Sequence, residues 1–173
     1  KCVYSGKLMK MLEELNTDSN WRLLIGRKNP DKRLRDVEWI LRIISFYEYE
    51  DKYEKPMKEF LNQYLKKARK LQDEKLSDKI EKTRNIFLNT CEYILDQLGE
   101  KPFQVKGRFN YAVLDSVFCT CIKAMESCKK DIKNRFERLK EDDEFLQNVT
   151  ANTSDQIAVS KRFEKARKYL LSV

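Results

Sequence analysis

The stretch Arg33 to Glu50, RLRDVEWILRIISFYEYE, constrains the fold more than any other, because apolar residues crowd more than one face of the helix it predicts. Leu34, Val37, Ile40, Leu41 and Ile44 recur at three- and four-residue spacing along one stripe. Trp39, Ile43, Phe46 and Tyr47 form a second stripe beside it. A helix apolar on two faces belongs inside a bundle. Charges are nevertheless set into it, Arg35, Asp36, Glu38 and Arg42, and Glu38 and Arg42 stand at the i, i+4 spacing that lets them pair. Any charge carried into the interior has to find a partner there.

The flanking sequence supplies the helices that would enclose this rod. Leu8, Met11, Leu12 and Leu15 share one face of a short helix from Lys7 to Leu15, and WRLLIG (21–26) gives a helical turn ended by glycine. The basic loop RKNPDKR follows, with Pro30 barring any continuation. After a polar connection from Tyr49 to Lys55, Pro56 occupies a first helical position and opens a helix with Met57, Phe60, Leu61, Tyr64 and Leu65 inward. Asp73 to Leu98 is a long amphipathic helix closed by Gly99. GEKPFQVKGR reads as a loop. Asn110 to Cys128 resumes the helix with Leu114, Phe118, Cys121, Met125 and Cys128 in one seam. A shorter helix spans Ile132, Phe136 and Leu139, and another turn or two lies around Phe145. A final helix has Ile157, Val159, Phe163, Ala166, Tyr169 and Leu170 inward, capped by Ser154 or Asp155. The expectation is an all-α, irregular bundle of about seven helices around a buried central helix (33–50).

The chain has 173 residues, enough for one sizeable core, so a single helical domain over 1–173 is expected. It begins at Lys1 without an initiator Met and reads as a fragment of a longer protein. No apolar run approaches the roughly 20 residues that cross a bilayer, so no membrane partner is expected. Cys2, Cys91, Cys119, Cys121 and Cys128 sit mostly in apolar helical stretches and read as buried thiols of a protein in a reducing cytoplasm. Cys119 and Cys121 are two apart on a helix and face away from each other. With no His in the chain, a zinc site would need four well-spaced thiolates, so no metal and no cofactor are expected.

The missing His also removes His-based general bases, HNH-type metal nuclease sites and His-dependent ribonucleases. The four glycines are isolated, so no phosphate-cradling loop forms. The carboxylate pairs Glu48 with Asp51 and Asp142 with Asp143 read as solvated surface acids. No catalytic residue is expected. The net charge of +8 is uneven: residues 1 to 70 carry 17 Lys and Arg against 11 acids, and the remainder 19 against 17. Arg27, Lys28, Lys32, Arg33 and Arg35 form the densest cluster and are the candidate nucleic-acid contacts, with Lys66, Lys67, Arg69 and Lys70 a second patch. DNA bound through them is expected to be held weakly and without sequence preference.

A second motif, Lys106, Gly107, Arg108, Phe109, Asn110, leads into Ala112, Leu114 and Asp115. Asn110 is placed to cap the following helix. Asp115 lies where Arg108 or an arginine of the central helix could reach it.

The succession CVYSGKLMKMLEELN, NPDKRLRDVEWILRIISFY, YEKPMKEFLNQYL, GEKPFQVKGRFNYAVLDSV and TSDQIAVSKRFEKARKYL resembles the C-terminal helical half of the uncharacterised bacterial domain family found in GmrSD-type, modification-dependent restriction enzymes. RLRDVEWILR and KGRFNYAVLD are its most specific parts. The resemblance implies a longer protein whose N-terminal half is a ParB/sulfiredoxin-like domain with an Asp-Gly-Gln-Gln-Arg motif, linked to nucleotide hydrolysis, DNA cleavage and phage defence. That motif does not occur here. Only scaffold-like residues carry over: Asp36, Glu38 and Arg42, with Arg35, from the first motif, and Gly107, Arg108, Phe109, Asn110 and Asp115 from the second. The expected role is a non-catalytic half packing against that N-terminal domain of the same protein. The alternatives are a free-standing basic nucleic-acid-binding module and a plain protein-interaction scaffold.

Overall fold

A computed structural model describes residues 6–171 of the chain. Among them nine α-helices, one 3-10 turn and one small hairpin follow in order, an all-α architecture. The helices beyond the expected seven are the short ones, α2 and α8, which the sequence marks only as turns. α1 (Lys7–Leu15) buries the four residues of its stripe. α2 (Ser19–Ile25) starts where the Asp18 carboxylate accepts from the Trp21 N–H at 2.9 Å and stops at Gly26, whose φ of 67° is left-handed. A side chain at Gly26 would be strained by that backbone, and its Cβ would lie 3.1 Å from the Lys101 side chain.

α3 (Arg35–Tyr49) is the rod that the sequence points to, and Ile40 to Phe46 are buried without interruption. It begins later than its stripe suggests. The Asp31 carbonyl accepts from the Leu34 N–H at 2.9 Å and the Asp31 carboxylate from the Arg33 N–H at 2.7 Å, closing a turn just ahead of the helix. Leu34 is therefore left outside, 48% exposed at φ 58°.

A 3-10 turn (Glu50–Lys52) leads to Tyr53, which is buried rather than part of a polar connection, and its hydroxyl donates to the Ser154 carbonyl at 2.7 Å. α4 (Met57–Arg69) starts just after Pro56 and buries Phe60, Leu61, Tyr64, Leu65 and Ala68. α5 (Asp73–Leu98) buries only Phe87, Thr90, Cys91 and Ile94, all in its second half; Leu76 and Ile80 are partly covered. The stretch expected as a loop contains a hairpin. β1 (Gln104–Val105) pairs antiparallel with β2 (Arg108–Phe109), and Lys106 and Gly107 turn between them at φ 50° and 75°, the left-handed pair that matches strand twist.

α6 (Tyr111–Glu126) is the second interior helix, and the more deeply placed. Every residue from Ala112 to Ile122 is buried, three turns with no solvent face, because α3, α5, α8 (Asp143–Thr150) and α9 (Gln156–Leu171) all pack on it. Its expected seam ends early. Met125 is half-buried, and Cys128 is exposed beyond the helix at φ 51°. α7 (Lys133–Lys140) covers the α5 and α9 ends through Phe136 and Leu139. On α9, Ile157 is 72% exposed, contrary to its expected inward place, and Ala158 and Arg162 are buried instead. The inward face runs through 158, 159, 162, 163, 166 and 170, which leaves 157 on the far side.

Two aromatic clusters fill the core. Phe46 of α3 meets Tyr53, Phe60 and Phe163 with ring centroids 5.1 to 5.3 Å apart, joining α3, α4 and α9. Trp21, Phe87 and Phe118 join α2, α5 and α6, the last two rings stacked at 5.1 Å. Among the described residues no helix is long and apolar enough to cross a membrane. Phe46→Ala removes a fully buried ring from the junction of three elements and is expected to lower unfolding free energy by about 3–5 kcal/mol. In urea this is a reduced midpoint with an unchanged slope.

Candidate functional site

The two motifs meet in space at two places, Arg42 with Asp115 in the interior and Trp39 against Phe109 where both are half-buried. Arg42 of α3 donates from Nε and Nη2 to the carboxylate of Asp115 on α6, with Nε at 3.2 Å from Oδ1. Arg162 of α9 reaches the same carboxylate, Nη2 to Oδ2 at 3.3 Å. Asp115 and Arg162 are fully buried and Arg42 is 7% exposed. Two guanidinium groups thus share one carboxylate, a surplus positive charge held out of water. Arg42 eases its position by lying 4.9 Å above the Tyr111 ring, and Arg162 by donating to the Thr153 carbonyl at 2.5 Å. Among the described residues the Arg162 Nε has no hydrogen-bond partner. Burial works against the charge on Arg42, but Asp115 more than offsets it and holds the group above its ordinary value. At Arg162 burial prevails, aided by Arg42, and the group falls below its ordinary value.

The Glu38–Arg42 pair expected from spacing does not form. Arg42 turns inward because a buried carboxylate on α6 needs it, and Glu38 stays exposed. Asp115 does reach the central helix, and Arg108 instead lies exposed on β2. The sequence reading missed Arg162. Its position on the inward face of α9, one residue before Phe163, is the signal that could have found it.

A second buried pair lies at the start of α3. Arg22 donates from Nη1 to Asp36 Oδ2 at 2.8 Å and to Asn16 Oδ1 at 3.0 Å, while its Nε holds the Arg27 carbonyl at 2.7 Å. Asp36 also accepts the Asp31 N–H at 2.8 Å. The basic loop is therefore pinned from beneath by an arginine that the sequence reading passed over. Burial pushes the Asp36 carboxyl up, but these donors, Arg22 first, win and hold it below its usual range.

Of the candidate nucleic-acid contacts, Arg27 and Arg35 are already engaged with Asp31. Arg35 reaches Asp31 Oδ2 at 2.6 and 2.9 Å, and Arg27 at 3.4 Å. That Arg35 contact, with the Arg33 N–H, holds the Asp31 carboxyl below its ordinary value. Arg27 also stacks 4.7 Å above Trp39, whose ring packs 4.3 Å from Phe109. Lys28, Lys32 and Arg33 are exposed in the same loop.

Asn110 caps α6. Its Oδ1 accepts from the N–H groups of Ala112 and Val113 at 2.8 and 3.0 Å, and its Nδ2 donates to the Val149 carbonyl at 2.8 Å, tying the hairpin to α8. Gly107 sits in the hairpin turn between the exposed Lys106 and Arg108.

The acids expected to be solvated are partly used. Glu48 accepts from the Tyr64 hydroxyl at 3.1 Å and pairs with Lys79. Asp142 caps α8 through the Phe145 N–H at 2.8 Å and accepts from Lys165 and Tyr169. Asp51 and Asp143 remain exposed.

Cys91, Cys119 and Cys121 are buried thiols whose ionisation burial pushes up, which makes them unreactive. Cys128 is exposed, and Cys2 lies outside the described residues. Among the described residues no group of three His, Cys, Asp or Glu is placed to hold a metal ion.

No family model matches the chain, and neither the curated proteins nor the solved structures contain a significant match to it.

The shared carboxylate sets an order of sensitivities. Asp115→Asn leaves two buried guanidiniums uncompensated and is expected to lose about 3–5 kcal/mol in urea unfolding, whereas Arg162→Met leaves a neutral Arg42–Asp115 pair and is expected to lose less than half as much. Asp36 gives a pH signature. Its folded-state carboxyl titrates below the unfolded one, so the unfolded chain takes up the proton first as the pH falls, and the stability it contributes is lost from about pH 4 downward. The slope of stability against pH between about 4 and 2 is expected to be shallower in Asp36→Asn than in the native chain.

Proposed function

We propose that this chain is the non-catalytic helical half of a phage-defence, restriction-type protein, and that it packs against and positions a ParB-like nuclease or nucleotide-hydrolysing domain carried elsewhere in the same longer protein. The observation that supports this reading most is the fate of the two motifs behind the resemblance. Asp36, Arg42 and Asp115 direct their charges at one another or at nearby helices and lie out of reach of a substrate, while Trp39 and Phe109 stack. Chemistry-bearing residue types used in this way hold a shape. A reducing cytoplasm is the compartment that goes with this role.

A second reading, a basic nucleic-acid-binding module, is favoured by a different observation. Lys28, Lys32 and Arg33 stand exposed on one loop, and Arg27 of that loop lies over Trp39, whose ring packs on Phe109 of the hairpin bearing Lys106 and Arg108. With Arg27 and Arg35 occupied by Asp31, few cations of the cluster remain for phosphates, so binding through the loop is weak and non-specific.

Two measurements test these readings. The isolated chain is expected to show background rates in plasmid cleavage and nucleotide hydrolysis, and to co-purify with the ParB-like domain of its own protein supplied as a separate polypeptide. Turnover by the isolated chain that disappears in Asp143→Asn, or failure to co-purify, contradicts the scaffold reading. Titration with duplex DNA is expected to give weak binding whose logarithm falls against the logarithm of salt with a slope of about −3 or shallower, as for no more than about three neutralised phosphates. A steeper slope favours the second reading over the first.

A further inference from the structure

We infer that the groove between the β1–β2 hairpin and the turn joining α8 to α9 is a binding site for a phosphate ester of about nucleotide size. This goes beyond the scaffold reading and does not depend on it, because the groove is built by residues of this chain alone.

The groove has a volume of about 540 Å³, within the range of small-ligand sites. Lys106 and Arg108 stand on its hairpin side, Thr150 and Thr153 on the helical side, and Phe109 and Tyr111 supply aromatic surface; among the described residues no carboxylate lines it. Lys106 and Gly107 occupy the two left-handed positions of a tight turn closed by the Val105–Arg108 pair, so one cation sits in the turn and the other directly after it. Tyr111 is 44% exposed, and its hydroxyl meets the Thr153 hydroxyl at 3.1 Å to form part of the wall.

What separates this groove from any basic surface lies behind that wall. Arg42 sits 4.9 Å over the Tyr111 ring, and Arg162 donates to the Thr153 carbonyl at 2.5 Å, while the two share Asp115. That group sets two guanidiniums on one carboxylate, with the exposed Glu38 the further acid acting on Arg42, and it is buried where solvent screens it poorly. The two residues that touch these arginines, Tyr111 and Thr153, also line the groove. Among the described residues the Arg162 Nε finds no acceptor, so the cluster holds a spare donor beside Thr153.

A phosphate group suits the mouth, where a lysine and an arginine can both donate to its oxygens. A planar base suits the exposed Tyr111 ring, since aromatic stacking holds bases without reading their edges. The source of the phosphate ester is either a free nucleotide or the backbone of a single-stranded nucleic acid, and these share the same contacts.

The test follows backbone amide resonances of the full chain during separate titrations with ATP, inorganic phosphate and a short single-stranded DNA. Shifts centred on Tyr111, Thr150 and Thr153 with ATP are expected if the source is a free nucleotide, and with the oligonucleotide but not ATP if it is a backbone. In either case the double variant Lys106→Asn with Arg108→Gln is expected to weaken binding by more than about tenfold, Asn being chosen because it tolerates the left-handed turn. Lys28→Gln with Lys32→Gln is expected to leave it unchanged. Thr150→Glu, an exposed change that places a carboxylate in the groove, is expected to abolish binding with Tm unchanged and stands in should the hairpin variant not fold. No shift with any of the three probes, or binding that the hairpin variant and Thr150→Glu leave intact, overturns the inference. Equal loss in the Lys28 and Lys32 variant overturns it as well, since the basic loop would then be the binding surface.

Discussion

Asp115 carries one negative charge into the deepest helix of the bundle, and two positive charges follow it there from helices far apart in the sequence. Charge is expensive to remove from water, so a carboxylate buried on α6 needs cationic partners beside it. Apolar contacts alone could tolerate a small rotation or slide of α3 and α9 against α6. Directional hydrogen bonds to one carboxylate do not, so the cluster specifies register more than it adds net stability. The Tyr111 ring over Arg42 and the Thr153 carbonyl on Arg162 are the local acceptors that make the surplus positive charge tolerable. Through Thr153 and Asn110 the same region ties the α8–α9 turn and the hairpin to the core.

Much of this was legible in the sequence, for reasons that can be named. The double stripe of α3 could not be covered except by other helices, and the Asn110 cap follows from a polar residue with the right side-chain reach standing before an apolar run. That Asp115 and an arginine of the central helix could meet followed from a buried charge's need for a partner. Periodicity failed where it assigns faces without knowing what lies opposite. Leu34 fits the α3 stripe in spacing, but the Asp31 turn ends just after it and leaves it outside. Ile157 fits an apolar count on α9, but the inward face there is set by Arg162, a residue type that such counts score as solvent-facing. The importance of α6 was also hidden. Its buried run includes Asp115, Ser116 and Thr120, and the hydroxyls of Ser116 and Thr120 donate back to carbonyls one turn earlier, which lets polar residues sit in a helix with no solvent face.

The same physics connects the interior to the surface. The basic loop after α2 looks like a free cluster in the sequence, yet Arg22 grips its backbone from below and Asp31 engages Arg27 of the loop and Arg35 at the start of α3. What remains exposed is sparse. On the hairpin side the balance is reversed, because no carboxylate answers Lys106 and Arg108 in the groove and the core behind it carries excess positive charge. Where the acids fall in the fold decides which cations are engaged: Asp31 and Asp36 hold Arg22, Arg27 and Arg35, and Asp115 holds Arg42 and Arg162.

The central claim is that Arg42 and Arg162 are tolerated in the core only because Asp115 compensates them. Equilibrium urea unfolding of Asp115→Asn and of the double variant Asp115→Asn with Arg162→Met tests it most directly. Removing the second arginine from the damaged core is predicted to restore stability by about 1 kcal/mol or more, the non-additivity expected of neighbours in one ionic network. If Arg162→Met instead lowers the stability of Asp115→Asn by as much as it lowers that of the native chain, the helices are held by apolar packing alone and the account is contradicted.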